Sequence, residues 1–176
     1  MSDFEVLERK LIHSGRVLDL FVEEVRLPTG RAASREIIRH EGSAAIVPIL
    51  DDGRVIMVRQ FRCAVGGYML EIPAGTIEKG EKPATCARRE LEEEIGYSAR
   101  SIDLVTRFYT SPGFLDEEMF VYVARGLTPC AQCTEDDEVI DVVVLSRGNV
   151  LAKIRNGEIA DAKTIAGILM VLGEFS

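Results

Sequence analysis

The chain has no tryptophan, only four cysteines and six prolines among 176 residues, and 6% aromatic residues. It also lacks a long apolar run. None approaches the ~18 residues that a membrane span needs, so no spanning helix is expected. The N-terminus, MSDFEVLERK, lacks the basic-then-apolar pattern of a secretory leader, and a cytoplasmic location is expected. Positive charge is in deficit: the formal net charge is -8. That balance argues against a nucleic-acid backbone as partner. It would also repel a phosphate-bearing ligand unless a divalent metal or a local arginine cluster meets it. Cys63, Cys86, Cys130 and Cys133 are too few for a disulfide framework. Cys130-Ala-Gln-Cys133 has no second pair and no histidine partner, so free thiols are expected. Repeats and low-complexity stretches are absent too.

The composition that is present, 47% hydrophobic and 28% charged, is that of an ordinary globular chain long enough to bury a full core. Strands are expected over Glu5 to His13, Val17 to Arg26 and Arg35 to Arg39. Ala44 to Leu50 and Val55 to Phe61 flank Asp51-Asp52-Gly53 and are read as a hairpin. Further strands are expected over Tyr68 to Ile72, Ile102 to Tyr109 and Met119 to Ala124, with a buried strand over Val139 to Leu145. Ser146 and Asp161 are placed to cap two closing helices. Strands, a helix, more strands and two more helices make an α+β layer pattern.

The most informative stretch is Gly75 to Tyr97, GTIEKGEKPATCARRELEEEIGY. Pro83 and Gly96 bracket a helix in the Pro-in, Gly-out sense. Ala84, Ala87, Leu91 and Ile95 share an apolar face at helical spacing, and Cys86 is expected to pack within the helix. Glu90 and Glu94 stand one turn apart at the edge of that face, with Glu93 close by. Like charges at i,i+4 destabilise a helix. Arg89 is placed to offset Glu93, but no basic residue lies three or four positions from Glu90 or Glu94. Two uncompensated carboxylates call for an external cation, and oxygen-only ligands select a hard one such as Mg2+ or Mn2+. A solvated acidic face has the same composition, and the helix alone does not separate the two.

The register does. The segment resembles the Nudix box, G-x5-E-x7-R-E-U-x-E-E-x-G-U with U a bulky aliphatic residue. Gly75, Glu81, Arg89, Glu90, Leu91, Glu93, Glu94 and Gly96 match in register, and Tyr97 at the final U is the one departure. The resemblance implies an α+β Nudix fold, a mixed β-sheet sandwiched between α-helices, with an N-terminal β-strand extension. Residues 1–43 would be that extension, joining two copies as a homodimer, and residues 44–176 the hydrolase domain.

The resemblance also implies metal-dependent hydrolysis of a nucleoside diphosphate linked to another group. It assigns Glu90 and Glu94 as principal metal ligands, with Glu93 and the Ala74 backbone carbonyl contributing. Glu81 and Arg89 would hold the loop and helix together by an ion pair. Pro112, in Ser111-Pro112-Gly113-Phe114, stands where the ADP-ribose pyrophosphatase branch carries a proline. Arg59 and Arg62 resemble that branch's strand before the box, with Arg62 on phosphate. Asp161-Ala-Lys-Thr164 resembles the same branch and its nucleotide-sugar relatives. Glu117 matches a site glutamate, and Arg35 is a candidate for base recognition. The catalytic glutamate is expected on the acidic loop, Glu138 in preference, either as base or as a further metal ligand, with Glu135 and Asp136 open; Glu93 of the box is a further catalytic candidate. The expected activity is ADP-ribose cleavage to AMP and ribose 5-phosphate. Rivals are another nucleotide-sugar pyrophosphatase, for instance on GDP-mannose, and a non-catalytic ligand-binding module.

Overall fold

The computed structural model describes residues 4–133 and 139–173. The chain divides into two compact units, Met1–Gly42 with Tyr109–Glu118, and Ser43–Phe108 with Met119–Ser176.

The first unit is built on an antiparallel sheet of β1 (Glu5–Ser14), β2 (Asp19–Arg26) and β3 (Ala32–Arg39), in that order. β1 is exposed along its whole length, whereas β2 buries Glu23 and Val25. A buried carboxylate needs partners. Glu23 has two: Arg9 Nε at 2.8 Å and Arg39 Nη2 at 2.9 Å. The 109–118 segment bridges Ile38 to Leu115, and Asp116 accepts from Arg39 Nη1 at 3.0 Å.

The second unit holds β4 (Ser43–Pro48), β5 (Val55–Arg62), β6 (Gly67–Glu71), β7 (Ala74–Thr76), α1 (Pro83–Ile95), β8 (Tyr97–Tyr109), β9 (Glu118–Pro129), β10 (Ile140–Leu145), α2 (Arg147–Arg155) and α3 (Ala162–Leu172). The order β7-β4-β9-β8 forms one sheet, with β4 and β9 parallel. β10-β5-β6 forms another, antiparallel. All six residues of β4 are buried, as a strand covered on both faces requires. Its side chains alternate between two cores. Ala44 and Ile46 join Cys86, Ala87, Leu91 and Ile95 of α1. Ala45 and Val47 join Val150 of α2 and Ile168 and Leu172 of α3. The mixed sheet therefore lies between helices, as the α+β reading requires. No described helix is long and apolar enough to cross a membrane.

Ser146 and Asp161 cap α2 and α3, accepting from Asn149 N and Thr164 N respectively. Three expectations are corrected. The hairpin over residues 44–61 does not form: β4 and β5 enter different sheets and share only the Ile49–Val55 bridge. Two apolar strands joined by a polar turn look alike whether they pair or separate. The strand over Val139 to Leu145 is not buried; β10 is an edge strand whose residues are all half-buried or exposed. Ala84 is exposed, and Cys86 takes its place in the core.

Candidate functional site

The acidic helix begins at Pro83, whose missing N–H costs nothing there, and ends at Gly96 with φ 70°. That left-handed conformation favours glycine. The buried residues of α1 are Cys86, Ala87, Glu90, Leu91, Glu94 and Ile95, so two glutamates share the inner face with the apolar side chains. Glu94 is 2% exposed and Glu90 8% exposed.

Short strand β7 determines what those carboxylates meet. Glu94 Oε2 accepts from the Ala74 amide at 3.0 Å. Glu90 lies against Gly75 so closely that a Cβ there would come within 1.9 Å of Oε1. Only glycine permits that approach. The backbone Ala74-Gly75 and the side chains of Glu90 and Glu94 thus converge on one spot.

Arg89 links the loop before the helix to the acidic turn. Its Nε donates to Glu81 Oε1 at 3.2 Å, and its Nη1 donates to Glu93 Oε2 at 3.0 Å and to Glu90 Oε1 at 2.5 Å. Burial alone would lower the Arg89 pKa, but the Glu81, Glu90 and Glu93 carboxylates outweigh it and hold it above its ordinary value. Glu90 is therefore not uncompensated, as its helical neighbours suggested. The guanidinium reaches the adjacent side chain because its fork is long, although i and i+1 positions diverge on a helix. Cys86 Sγ sits under the loop, 3.6 Å from Gly75 O, and burial with the nearby Glu90 charge pushes the thiol up to about 12.

The donor set fits a hard divalent cation in kind, since Glu90 and Glu94 offer carboxylate oxygens. Among the described residues, no three His, Cys, Asp or Glu side chains converge to hold a metal unaided. Glu135 and Glu138 lie outside the described residues.

Beside this spot is a second charged group. Glu71, 1% exposed, takes Arg62 Nε at 2.8 Å and Nη2 at 2.7 Å, and also accepts from Lys163 Nζ. Lys163 contacts Asp161 at 3.1 Å. Asp161 in turn accepts from Thr164 Oγ1, which accepts from Ile72 N at 2.9 Å. Burial would raise the Glu71 pKa, but Arg62 and Lys163 hold it below the ordinary carboxylate range. Sequence reading passed over Glu71. Its signal was a glutamate ending a strand, four residues before the box glycine.

Other expected residues are placed as follows. Arg59 stacks its guanidinium 3.7 Å from the Tyr68 ring and donates to Asp141 at 3.1 Å. In the first unit, exposed Arg35 donates to its neighbour Ser34 O at 2.8 Å, and Glu117 accepts from Thr110 Oγ1 at 2.7 Å. Pro112 lines a cavity of about 330 Å³ in that unit, with Phe4, Tyr109 and Phe114 around it and Glu23 among the lining residues.

A family profile described as NUDIX domain matches residues 39–166. The chain belongs to the Nudix family. It is 43% identical to an ADP-ribose pyrophosphatase of Bacillus subtilis (strain 168), over 93% of this chain and 90% of that protein. It is 39% identical to a methanol dehydrogenase activator of Bacillus methanolicus over the same shares. An ADP-ribose pyrophosphatase of Mycobacterium tuberculosis is 35% identical over 96% of this chain and 83% of its own. In fold, the chain resembles the crystal structure of an ADP compounds hydrolase with a TM-score of 0.84. That alignment covers 96% of this chain and 91% of that one at 21% identity. The chain is a Nudix hydrolase, and the acidic helix is its Nudix helix.

Proposed function

We propose that this Nudix hydrolase cleaves the pyrophosphate bond of ADP-ribose, giving AMP and ribose 5-phosphate. The observation that carries the reading is the pair of ADP-ribose pyrophosphatases at 43% and 35% identity over nearly the whole chain. The box, matched in register at every position but Tyr97 and packed against Ala74, supports it.

Nudix hydrolases generally need divalent metal ions; we take Mg2+ as the ion used, with Mn2+ as a substitute. A divalent ion held at the Nudix helix would supply positive charge to the diphosphate and acidity to a water. Glu90 and Glu94 would hold it, with Glu93 and the Ala74 carbonyl contributing. Glu138, or Glu135, takes the proton from the water as its oxygen bonds to phosphorus and the bridging P–O bond breaks. Arg62 offers the diphosphate its Nη1 edge, since Glu71 holds Nε and Nη2. Arg59 lies on the neighbouring stretch of β5; Arg35 is kept as a candidate for base recognition, and Glu117 and Pro112 as candidate substrate-binding residues. Glu81 and Arg89 keep the box loop on the helix.

The same reading places the enzyme in the cytoplasm as a homodimer joined through residues 1–43, and light scattering showing a monomer at micromolar concentration would remove the dimer. A panel of ADP-ribose, GDP-mannose and UDP-glucose with Mg2+ tests the substrate. ADP-ribose is expected to give the highest kcat/KM. Ranking last would overturn the specificity, and no turnover of any member would overturn the activity.

A further inference from the structure

The last turn of α1 is closed from outside the helix. A helix leaves its final carbonyls without intrahelical donors. Gly96 N covers Glu92 O at 3.0 Å. The next carbonyls are taken by the segment that follows β9. Cys133 N donates to Glu93 O at 3.2 Å, Gln132 Nε2 to Glu94 O at 2.6 Å, and Cys130 N to Gly96 O at 2.8 Å.

The approach is close. A Cβ on Gly96 would stand 3.1 Å from Cys130 O and 3.2 Å from Gln132 Cβ. Gly96 is thus required twice, for its φ and for the room it leaves this segment. Two of the three clasped carbonyls belong to Glu93 and Glu94, whose side chains form the acidic turn. Residues 134–138, which include Glu135 and Glu138, follow Cys133 directly in the chain.

Gln132 makes the shortest of the three bonds and the only one from a side chain, and it is itself exposed. Removing its donor therefore leaves the core untouched. We infer that Gln132 is a positioning residue. Its amide locks the Glu94 carbonyl, which fixes the orientation of the acidic turn. The activity readout rests on the pyrophosphatase reading; the clasp itself does not.

Three substitutions separate a donor from mere bulk. Gln132→Leu keeps the size and removes the donor. Gln132→Lys keeps a donor and adds a cation, which a helix C-terminus favours. Gln132→Glu sets a carboxylate against the carbonyl. The Leu variant is expected to lose about tenfold in kcat with KM within about twofold, the usual sign of misplaced reacting groups. The Lys variant is expected within about twofold of the parent enzyme, and Glu at or below Leu. Independently of activity, amide hydrogen exchange at Cys133 is expected to rise about tenfold in the Leu variant as its neighbouring bond is lost. Equal kcat in all variants, or equal losses in Leu and Lys, would overturn the positioning role. Unchanged exchange at Cys133 would overturn the clasp whatever the kinetics. If no substrate is turned over, the pyrophosphatase reading fails while the exchange result still decides the clasp.

Discussion

Gly75→Ala is the sharpest test of how β7 and α1 meet. The added methyl would stand 1.9 Å from Glu90 Oε1, 2.2 Å from its carboxyl carbon and 2.7 Å from Oε2. The Glu90 carboxylate would have to withdraw by about 1.5 Å to reach an ordinary 3.4 Å contact. It cannot do so at no cost, because Arg89 holds Oε1 at 2.5 Å and the side chain is buried. Overpacking of this kind costs about 1–3 kcal/mol of stability. Displacement of a reacting group by ~1 Å can cost about 10²-fold in rate, or about 2.7 kcal/mol of barrier. The expected result is a folded protein whose kcat/KM for ADP-ribose with Mg2+ is lower by about that factor. Steady-state kinetics and a thermal melt on the same preparation measure both. A variant that melts lower but turns over normally per folded molecule would refute the reasoning, since Glu90 would then have moved without consequence.

Three further outcomes follow from the same geometry. Glu94→Gln keeps an acceptor for the Ala74 amide and removes the charge, so folding should survive while kcat falls on the order of 10³-fold or more; unchanged turnover in a metal titration would contradict this. Glu71 has a lowered pKa, so its stabilising effect is fully present above the ordinary carboxylate range and is lost as pH falls through the lower folded value. Glu71→Gln should therefore melt below the parent at neutral pH and converge with it in acid; parallel Tm-against-pH curves would refute the pairing. Cys63, Cys130 and Cys133 are exposed whereas Cys86 is buried with a pKa pushed up to about 12. Thiol alkylation of the native protein, read by mass spectrometry, should modify those three rapidly and Cys86 only after denaturation; rapid native labelling of Cys86 would contradict its burial.

Much of the fold is local and was legible as such. Pro83 and Gly96 bracket α1 at the residues where it begins and ends, and Ser146 and Asp161 cap their helices. What escaped was decided at long range. β4 pairs in parallel with β9, about 75 residues away in the chain by its register with Met119 to Ala124, and nothing near Asp51-Asp52-Gly53 reveals that. Glu71, Lys163 and Asp161 come from elements separated by 92 residues at the Lys163–Glu71 contact, so no spacing rule brings them together. The Arg89–Glu90 pair was missed for the opposite reason: helical neighbour rules count positions, whereas a long guanidinium reaches past them. Nothing in the sequence around Gln132 indicates that its amide meets Glu94 O, 38 residues away in the chain.

The most direct measurement is crystallographic. Crystals grown with Mn2+ and a non-hydrolysable ADP-ribose analogue should show an anomalous peak between the carboxylates of Glu90 and Glu94, with diphosphate oxygens on its far side. Water alone beside both carboxylates, with the analogue bound, would contradict the account.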